Sequence, residues 1–316
     1  MDDQLVITQF AQDVLSGLSA TPKTLSSKYF YDENGDRIFQ EIMNLEEYYL
    51  TRCEYEILET HQQQILDLFI GGTSKFNLVE FGAGDGYKTK VLLECFLNAK
   101  VDFRYRPIDI SGNVLQILET SLEEEFPSLK VEGIQNEYMK ALRELENGGT
   151  RNVVLFLGSN IGNFRQSQAI SFLKGLYEGL NDGDLLFIGF DLKKDPQVIL
   201  NAYNDKRGVT RDFNFNLLTR INRELKGNFD LSAFRHFPTY DPLTGTTTSY
   251  LISTKSQTVE IMDTTITFDA WEPIHMEISQ KYGMKDIESL ASQVGFDIVR
   301  NFYDSRRYFV NSVWRK

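Results

Sequence analysis

The sequence predicts an α/β protein: a doubly wound sheet that ends in an antiparallel hairpin and carries a second α+β lobe. Three observations lead there. Strand-like and helix-like runs alternate through the middle of the chain, a glycine-rich turn joins the first of those strands to the helix after it, and two consecutive strands close the C-terminal end. Strands alternating with helices of roughly ten to fifteen residues build a parallel sheet with helices on both faces.

The elements follow in order. Residues 1–55 are helical in pattern and rich in aromatic side chains. Phe76 to Phe81 is a short apolar run that stops at Gly82, and it reads as a buried strand. Lys88 to Asn98 places Val91, Leu92, Leu93, Phe96 and Leu97 at helical spacing. Val101 to Asp109 is a second strand, and Ser111 to Glu124 a second helix with Ser111 as its N-cap. Leu129 to Gly133 reads as a weaker third strand. Asn152 to Leu157 and Leu185 to Phe190 are two more, with the helical Gln166 to Leu180 between them. Asp195 then caps a helix whose first residue is Pro196. Extended segments at Phe237 to Tyr240 and Thr246 to Ser253 are joined by the turn Asp241-Pro242-Leu243-Thr244-Gly245, and a third covers Thr258 to Phe268. A helix from Ile287 to Val294 stops at Gly295. The strands Phe296 to Tyr303 and Tyr308 to Trp314 follow, joined by the polar turn Asp304-Ser305-Arg306. A terminal hairpin gives the otherwise parallel sheet one antiparallel strand. The expected division is residues 56–194 with 282–316 for the sheet domain, and 1–55 with 195–281 for the second lobe.

Composition narrows the function. A chain of 316 residues suits one large domain or two intertwined ones. It buries about three quarters of its unfolded surface and needs no disulfide or metal staple. A formal charge of −12 opposes bulk nucleic-acid binding, because a polyanion is repelled over most of the surface. Cys53 and Cys95 stand in unrelated contexts and read as reduced, buried thiols of a cytosolic protein. With His61, His236 and His275 as the three histidines, a His/Cys metal site is not expected. No apolar run is long enough to span a membrane, and the acidic Met1-Asp2-Asp3-Gln4 is unlike a signal peptide. The expectation is a cytoplasmic protein acting on a small molecule. The oligomeric state is left open, with a monomer favoured.

The chemistry begins at Glu80-Phe81-Gly82-Ala83-Gly84-Asp85-Gly86, where the first strand meets the first helix. Glycines there let the backbone turn sharply and a ligand approach with no Cβ in the way. The dinucleotide fingerprint G-x-G-x-x-G would need glycine where Tyr87 stands, and there is no Walker G-K-[ST]. An acidic residue opening the motif and a second one, Asp109, closing the next strand fit S-adenosylmethionine, whose ribose hydroxyls a carboxylate can grip in bidentate fashion. Asp109 stands at the strand edge where open α/β sheets bind ligands. Lys88, opening the following helix, suits the cofactor's carboxylate; its plain alternative is a solvated helix-face lysine. The terminal hairpin resembles that of class I methyltransferases and is seldom found in dinucleotide folds.

Further blocks carry a closer resemblance. Lys28-Tyr29-Phe30-Tyr31-Asp32-Glu33-Asn34-Gly35, Leu45-Glu46-Glu47-Tyr48-Tyr49-Leu50-Thr51-Arg52 and Phe156-Leu157-Gly158-Ser159-Asn160-Ile161-Gly162-Asn163 resemble the histidine-specific methyltransferases of ergothioneine biosynthesis. So do Asp195-Pro196 through Ala202-Tyr203 and Glu277-Ile278-Ser279-Gln280-Lys281-Tyr282. The blocks run in order from about residue 20 to the end. The resemblance implies an enzyme that methylates the α-amine of L-histidine three times to hercynine. It implies that Asn163, Tyr203 and Tyr48 hold the substrate's amino and carboxylate ends, that Tyr31, Glu277 and Ser279 meet the imidazole, and that Phe39 packs in the same pocket. Gly82, Lys88 and Asp109 would serve the cofactor, with Glu137 and Tyr138 flanking the adenine. Tyr31 and Asn163 are the two expected to act closest to the chemistry. Phe30 and Tyr49, in the same aromatic stretch, read as core. The sequence departs from the family where Glu137-Tyr138 replace the usual Asp-Phe, and where Ser249 aligns with a position that is commonly Met beside the substrate side chain. That second departure keeps open a different small amine or amino acid as substrate, or a cofactor-binding sensor without turnover.

Overall fold

The structure is a computed structural model that describes residues 2–73, 75–109, 112–136, 138, 140 and 150–316, with side chains from residue 9 onward. The chain divides into two compact units. One comprises Met1–Tyr49 and Lys194–Ser279, the other Leu50–Lys193 and Gln280–Lys316.

The second of these units is built on a seven-stranded sheet. Its strands are β2 (Lys75–Phe81), β3 (Asp102–Asp109), β4 (Ile134–Gln135), β5 (Arg151–Phe156), β6 (Leu185–Asp191), β12 (Asp297–Tyr303) and β13 (Phe309–Arg315), in the spatial order β12-β13-β6-β5-β2-β3-β4. All neighbours from β6 to β4 run parallel, whereas β13 is antiparallel to both β6 and β12. This is the doubly wound sheet with one reversed strand that the alternation and the terminal hairpin predict, the arrangement of class I methyltransferases. Central β6 is buried at every residue, which is why it reads as a continuous apolar run and not as an alternating one. Helices α3 (Tyr49–Ile70), α4 (Thr89–Asn98), α5 (Gly112–Glu125), α6 (Gln166–Gly179) and α9 (Met284–Val294) belong to this unit. One of its cores gathers Phe81, Phe156, Phe190, Leu173, Leu290 and Trp314. The third strand needs a correction. Pairing begins at Ile134, with Val131 making only an isolated bridge to Tyr105, so the edge strand is shorter and later than residues 129–133. Ser111, the expected cap of α5, lies outside the described residues.

The other unit holds α1 (Asp2–Ser19), α2 (Glu33–Met43), α7 (Pro196–Tyr203) and α8 (Val209–Glu224). Its sheet has the order β1-β11-β8-β7, formed by β1 (Lys23–Thr24), β11 (Pro273–Gln280), β8 (Thr246–Ser253) and β7 (Phe234–Asp241). Asp195 caps α7 as expected, accepting the Gln197 N–H at 2.8 Å with Pro196 at the first turn. The run Thr258 to Phe268 is two strands rather than one: β9 (Gln257–Ile261) and β10 (Thr264–Phe268) form a hairpin whose two-residue turn places Met262 at φ +53°. This unit has its own core, to which Phe10, Phe30, Phe213, Leu217, Leu251 and Phe268 contribute. Cys53 is buried and Cys95 only half-buried, which corrects the expectation of two buried thiols; both are unpaired. Among the described residues no helix is long and apolar enough to cross a membrane.

Candidate active site

In the sheet unit, β2 feeds the glycine turn. Gly82, Gly84 and Gly86 all adopt positive φ, at +66°, +57° and +68°, a region that side chains with a Cβ disfavour. A Cβ on Gly82 would stand 2.8 Å from the Tyr138 hydroxyl, whereas one on Gly84 would meet nothing within 4 Å. The turn thus passes tightly beneath one aromatic side chain and leaves an open backbone face beside it. The Tyr138 ring stacks on Phe81 with centroids 4.7 Å apart and planes 8° from parallel. Burial, and then the Asp109 and Glu80 charges, push the Tyr138 hydroxyl up to about 12, so it remains a hydrogen-bond donor at neutral pH. Asp109 ends β3, one residue beyond Ile108, whose carbonyl accepts the Gly82 N–H at 3.0 Å. Glu137 lies outside the described residues.

The acid that opens the motif has a different task. Glu80 is buried at 3% exposure and accepts hydrogen bonds from the Thr89 hydroxyl, at 2.7 Å, and from the Tyr105 hydroxyl. It ties β2 to α4 and β3 beneath the turn. Burial raises its carboxyl to about 7, against the hydroxyls that hold it down. As pH rises from about 4.5 to 7 the unfolded chain releases this proton while the folded chain keeps it, so Glu80 draws stability away over that window. At about 1.4 kcal/mol per pH unit, the window amounts to about 3 kcal/mol. Urea unfolding at about pH 5 and 7.5 is expected to show the wild type losing about 2–3 kcal/mol more than Glu80→Gln across that interval. An equal pH dependence in both would contradict the assignment.

Lys88 is not a solvated helix-face lysine. Its ammonium pairs with the fully buried carboxylate of Glu54, and 20% of its side chain remains exposed. Glu54, from α3, also accepts the Gly158 N–H at 2.8 Å and the Asn311 amide at 2.9 Å. An ammonium has three donors, so Lys88 keeps hydrogen-bonding capacity beyond this pair. Asn163 ends a single 3-10 turn, Asn160–Asn163, that follows β5. Its side chain is exposed, and among the described residues its amide meets no hydrogen-bonding partner.

In the other unit, Asp32 caps α2 by accepting the Gly35 N–H at 2.8 Å, and it also accepts from Asn216 and Arg223 of α8 at 2.7 and 2.6 Å. Gly35 is required there: a Cβ would fall 1.8 Å from the Phe30 carbonyl oxygen. This fixes the segment that carries Tyr31. The Tyr31 ring meets Phe39 and Phe213 edge-on, each at 5.6 Å, and Phe39 meets Tyr48 at 6.3 Å. Tyr31 exposes 45% of its surface. Its hydroxyl is nevertheless held well above the usual range, first by desolvation and then by Glu277, Tyr48, Asp36 and Tyr203. Of the residues singled out in the sequence, Tyr31, Phe39 and Tyr48 are brought together here by ring contacts, and Glu277 and Tyr203 are near enough to Tyr31 to bear on its hydroxyl electrostatically. Glu277 and Ser279 lie on β11, half-buried and 6% exposed respectively. Tyr203 ends α7, 7% exposed. Ser249 shares a strand face with Thr247, Leu251 and Ser253 and is only 2% exposed. Tyr49 is buried beneath Lys194, whose ammonium donates to the Tyr49 hydroxyl at 2.9 Å and sits 4.3 Å from its ring centroid. Phe213, Glu54 and Lys194 are not evident from the sequence. Phe213 alone has a signal there, the helical spacing of Val209, Phe213, Leu217 and Ile221.

From residue 10 to residue 316 the sequence matches the family described as histidine-specific, SAM-dependent methyltransferase. The chain belongs to that family. It is 34% identical over 295 residues to the histidine N-alpha-methyltransferase of Mycobacterium tuberculosis, covering 93% of this chain and 90% of that one. The Mycolicibacterium smegmatis protein of the same name is 34% identical over 286 residues, covering 90% and 88%. Ergothioneine biosynthesis protein 1 of Schizosaccharomyces pombe is 30% identical over 88% of this chain, which matches 37% of that longer protein.

The cofactor of this SAM-dependent methyltransferase finds a compatible setting in the sheet unit. The open backbone at Gly84, the carboxylate of Asp109 at the strand edge, the stacked Phe81–Tyr138 pair and the ammonium of Lys88 supply the kinds of group that a nucleoside carrying an amino-acid tail requires.

Proposed function

We propose that this histidine-specific methyltransferase methylates the α-amine of free L-histidine three times, yielding hercynine, and does so in the cytosol as a monomer. The observation that carries the reading is the aromatic group Tyr31, Phe39, Tyr48 and Phe213, in a chain whose relatives are named for histidine N-α-methylation. In this reading residues 1–55 and 195–281 serve the substrate, and residues 56–194 with 282–316 serve the cofactor.

When bound, S-adenosylmethionine supplies a sulfonium methyl for in-line displacement. Asp109 would accept the ribose hydroxyls, Lys88 would meet the carboxylate tail, Gly82 would allow close backbone approach, and Tyr138 would flank the adenine. The α-amine must be neutral to attack, although it titrates near about 8. A nearby anion would favour the ammonium, so an amide is the better neighbour. Asn163 accepts an N–H through its carbonyl without that penalty. Tyr48 and Tyr203 donate to the substrate carboxylate. Tyr31, Glu277 and Ser279 take the imidazole, Phe39 packs beside it, and Ser249 faces the substrate side chain. The displaced proton leaves to solvent. The trimethylated product is a fixed cation with no N–H to donate, and the faces of Tyr31, Phe39 and Tyr48 tolerate it.

Offering the twenty amino acids one at a time with S-adenosylmethionine tests the reading. Release of S-adenosylhomocysteine with histidine alone is the expected result. Turnover on another amine would replace histidine, and cofactor binding without turnover would make the protein a sensor.

A further inference from the structure

The turn that carries Asn163 rests on a buried ion pair that the scheme above does not use. After β5 the chain passes through Gly158 and Ser159, both in the left-handed region at φ +75° and +57°, before the turn Asn160–Asn163. Serine disfavours that backbone, and its side chain is what anchors it: the Ser159 hydroxyl oxygen accepts the Asp191 N–H at 3.0 Å. The Asp191 carboxylate in turn pairs with the Lys281 ammonium at 2.8 Å, and both side chains are entirely buried. The residue beyond, Tyr282, donates its N–H to the Asp191 carbonyl at 2.9 Å and its hydroxyl to the Ile161 carbonyl at 3.4 Å. On the remaining side Gly162 packs so tightly that a Cβ would come within 2.9 Å of the Gln280 carbonyl oxygen. Gln280 and Tyr282 therefore press on the turn, and Lys281 between them is held by the ion pair with Asp191.

We propose that Lys281, acting through Asp191, is a positioning residue for methyl transfer: the pair holds the 159–163 turn so that Asn163 presents its amide in one orientation. This rests on the reading of Asn163 as the amine's partner. Two buried charges are a poor device for stability alone, since apolar groups of similar volume often serve as well; fixing one arrangement is their best-attested use. Glu277 and Ser279 lie on β11, whose last residue, Gln280, is the neighbour of Lys281 and packs against Gly162 of the turn.

The test compares wild type with Asp191→Asn/Lys281→Met, which removes both charges and leaves neither unpaired, and with Tyr282→Phe, which removes only the bond to Ile161. For the double variant the expected result is S-adenosylmethionine affinity within about twofold of wild type and kcat lower on the order of 100-fold, as a misplaced group produces. Hydrogen exchange at Gly162 and Phe164 should be about tenfold faster, with the rest of the sheet unit unchanged. Tyr282→Phe should lower kcat by about three- to tenfold, and it carries the test if the double variant does not fold. Kinetic constants within about twofold of wild type would overturn the proposal. So would a kcat loss matched by equal loss of cofactor affinity and by faster exchange throughout the unit. Wild-type turnover on histidine is read in the same series. If another amine is the substrate, the histidine reading fails, while the kinetic comparison is made on that amine and the exchange measurement needs no substrate.

Discussion

Glu54→Ala is expected to lose about 3–5 kcal/mol of stability, the loss that follows when one partner of a buried ion pair is removed. Glu54 is fully buried on α3 and connects α4 through Lys88, the end of β5 through the Gly158 N–H, and β13 through Asn311. Truncation leaves an ammonium, a backbone N–H and a side-chain amide without this acceptor, the amide of Asn311 in a fully buried position. The sheet is shaped around this carboxylate: a Cβ on Gly189 of β6 would stand 2.5 Å from its Oε1. Glu54→Gln, which retains an oxygen for the Gly158 N–H but no charge for Lys88, should lose about half as much. Because Lys88 borders the glycine turn, S-adenosylmethionine affinity should fall at least about tenfold in the alanine variant. Urea unfolding and calorimetric titration check both statements, and a stability loss below about 1 kcal/mol would contradict them.

Asn163→Ala is expected to do the opposite, lowering kcat on the order of 100-fold with little change in stability. The side chain is exposed and, among the described residues, supports nothing else by hydrogen bonding, so its removal leaves no orphaned group behind. Cofactor affinity should stay within about twofold of wild type. Asn163→Asp distinguishes a role at the amine from a role in folding. An anion at that position favours the ammonium form, so activity should move to higher pH than in the wild type. An unshifted pH profile with undiminished kcat would remove Asn163 from the reaction.

The sheet unit is largely legible in the sequence because its signals are strong and local. Buried parallel strands are uninterrupted apolar runs, as at Leu185 to Phe190, and Gly82 and Gly295 mark turns that only a residue without a Cβ takes easily. The other unit is less so. Helix α8 buries Asn214 and Asn216 beside Phe213 and Leu217, and Asn214 bonds back to the Thr210 carbonyl at 2.9 Å, so its polar content masks the apolar face. The β9–β10 hairpin turns at Met262 in place of the expected glycine or asparagine, and it reads as one long strand. Strand β11 shows in the sequence only as a block of family resemblance. At the site, residue types and the glycine turn indicate cofactor chemistry, but Glu80, which the motif assigns to the ligand, has Thr89 and Tyr105 as its partners. Glu54 leaves no trace in sequence, since nothing marks one glutamate on a long helix as buried. Phe213 lies far from Tyr31 and Phe39 along the chain, and only the fold joins them.

The most direct test is a mass spectrum of the product formed by purified protein, L-histidine and excess S-adenosylmethionine, followed over time. Successive appearance of one, two and three methyl groups on the α-nitrogen is expected, with the trimethylated betaine as the end product. An imidazole-methylated product, or no methylated histidine from protein that binds the cofactor, would contradict it.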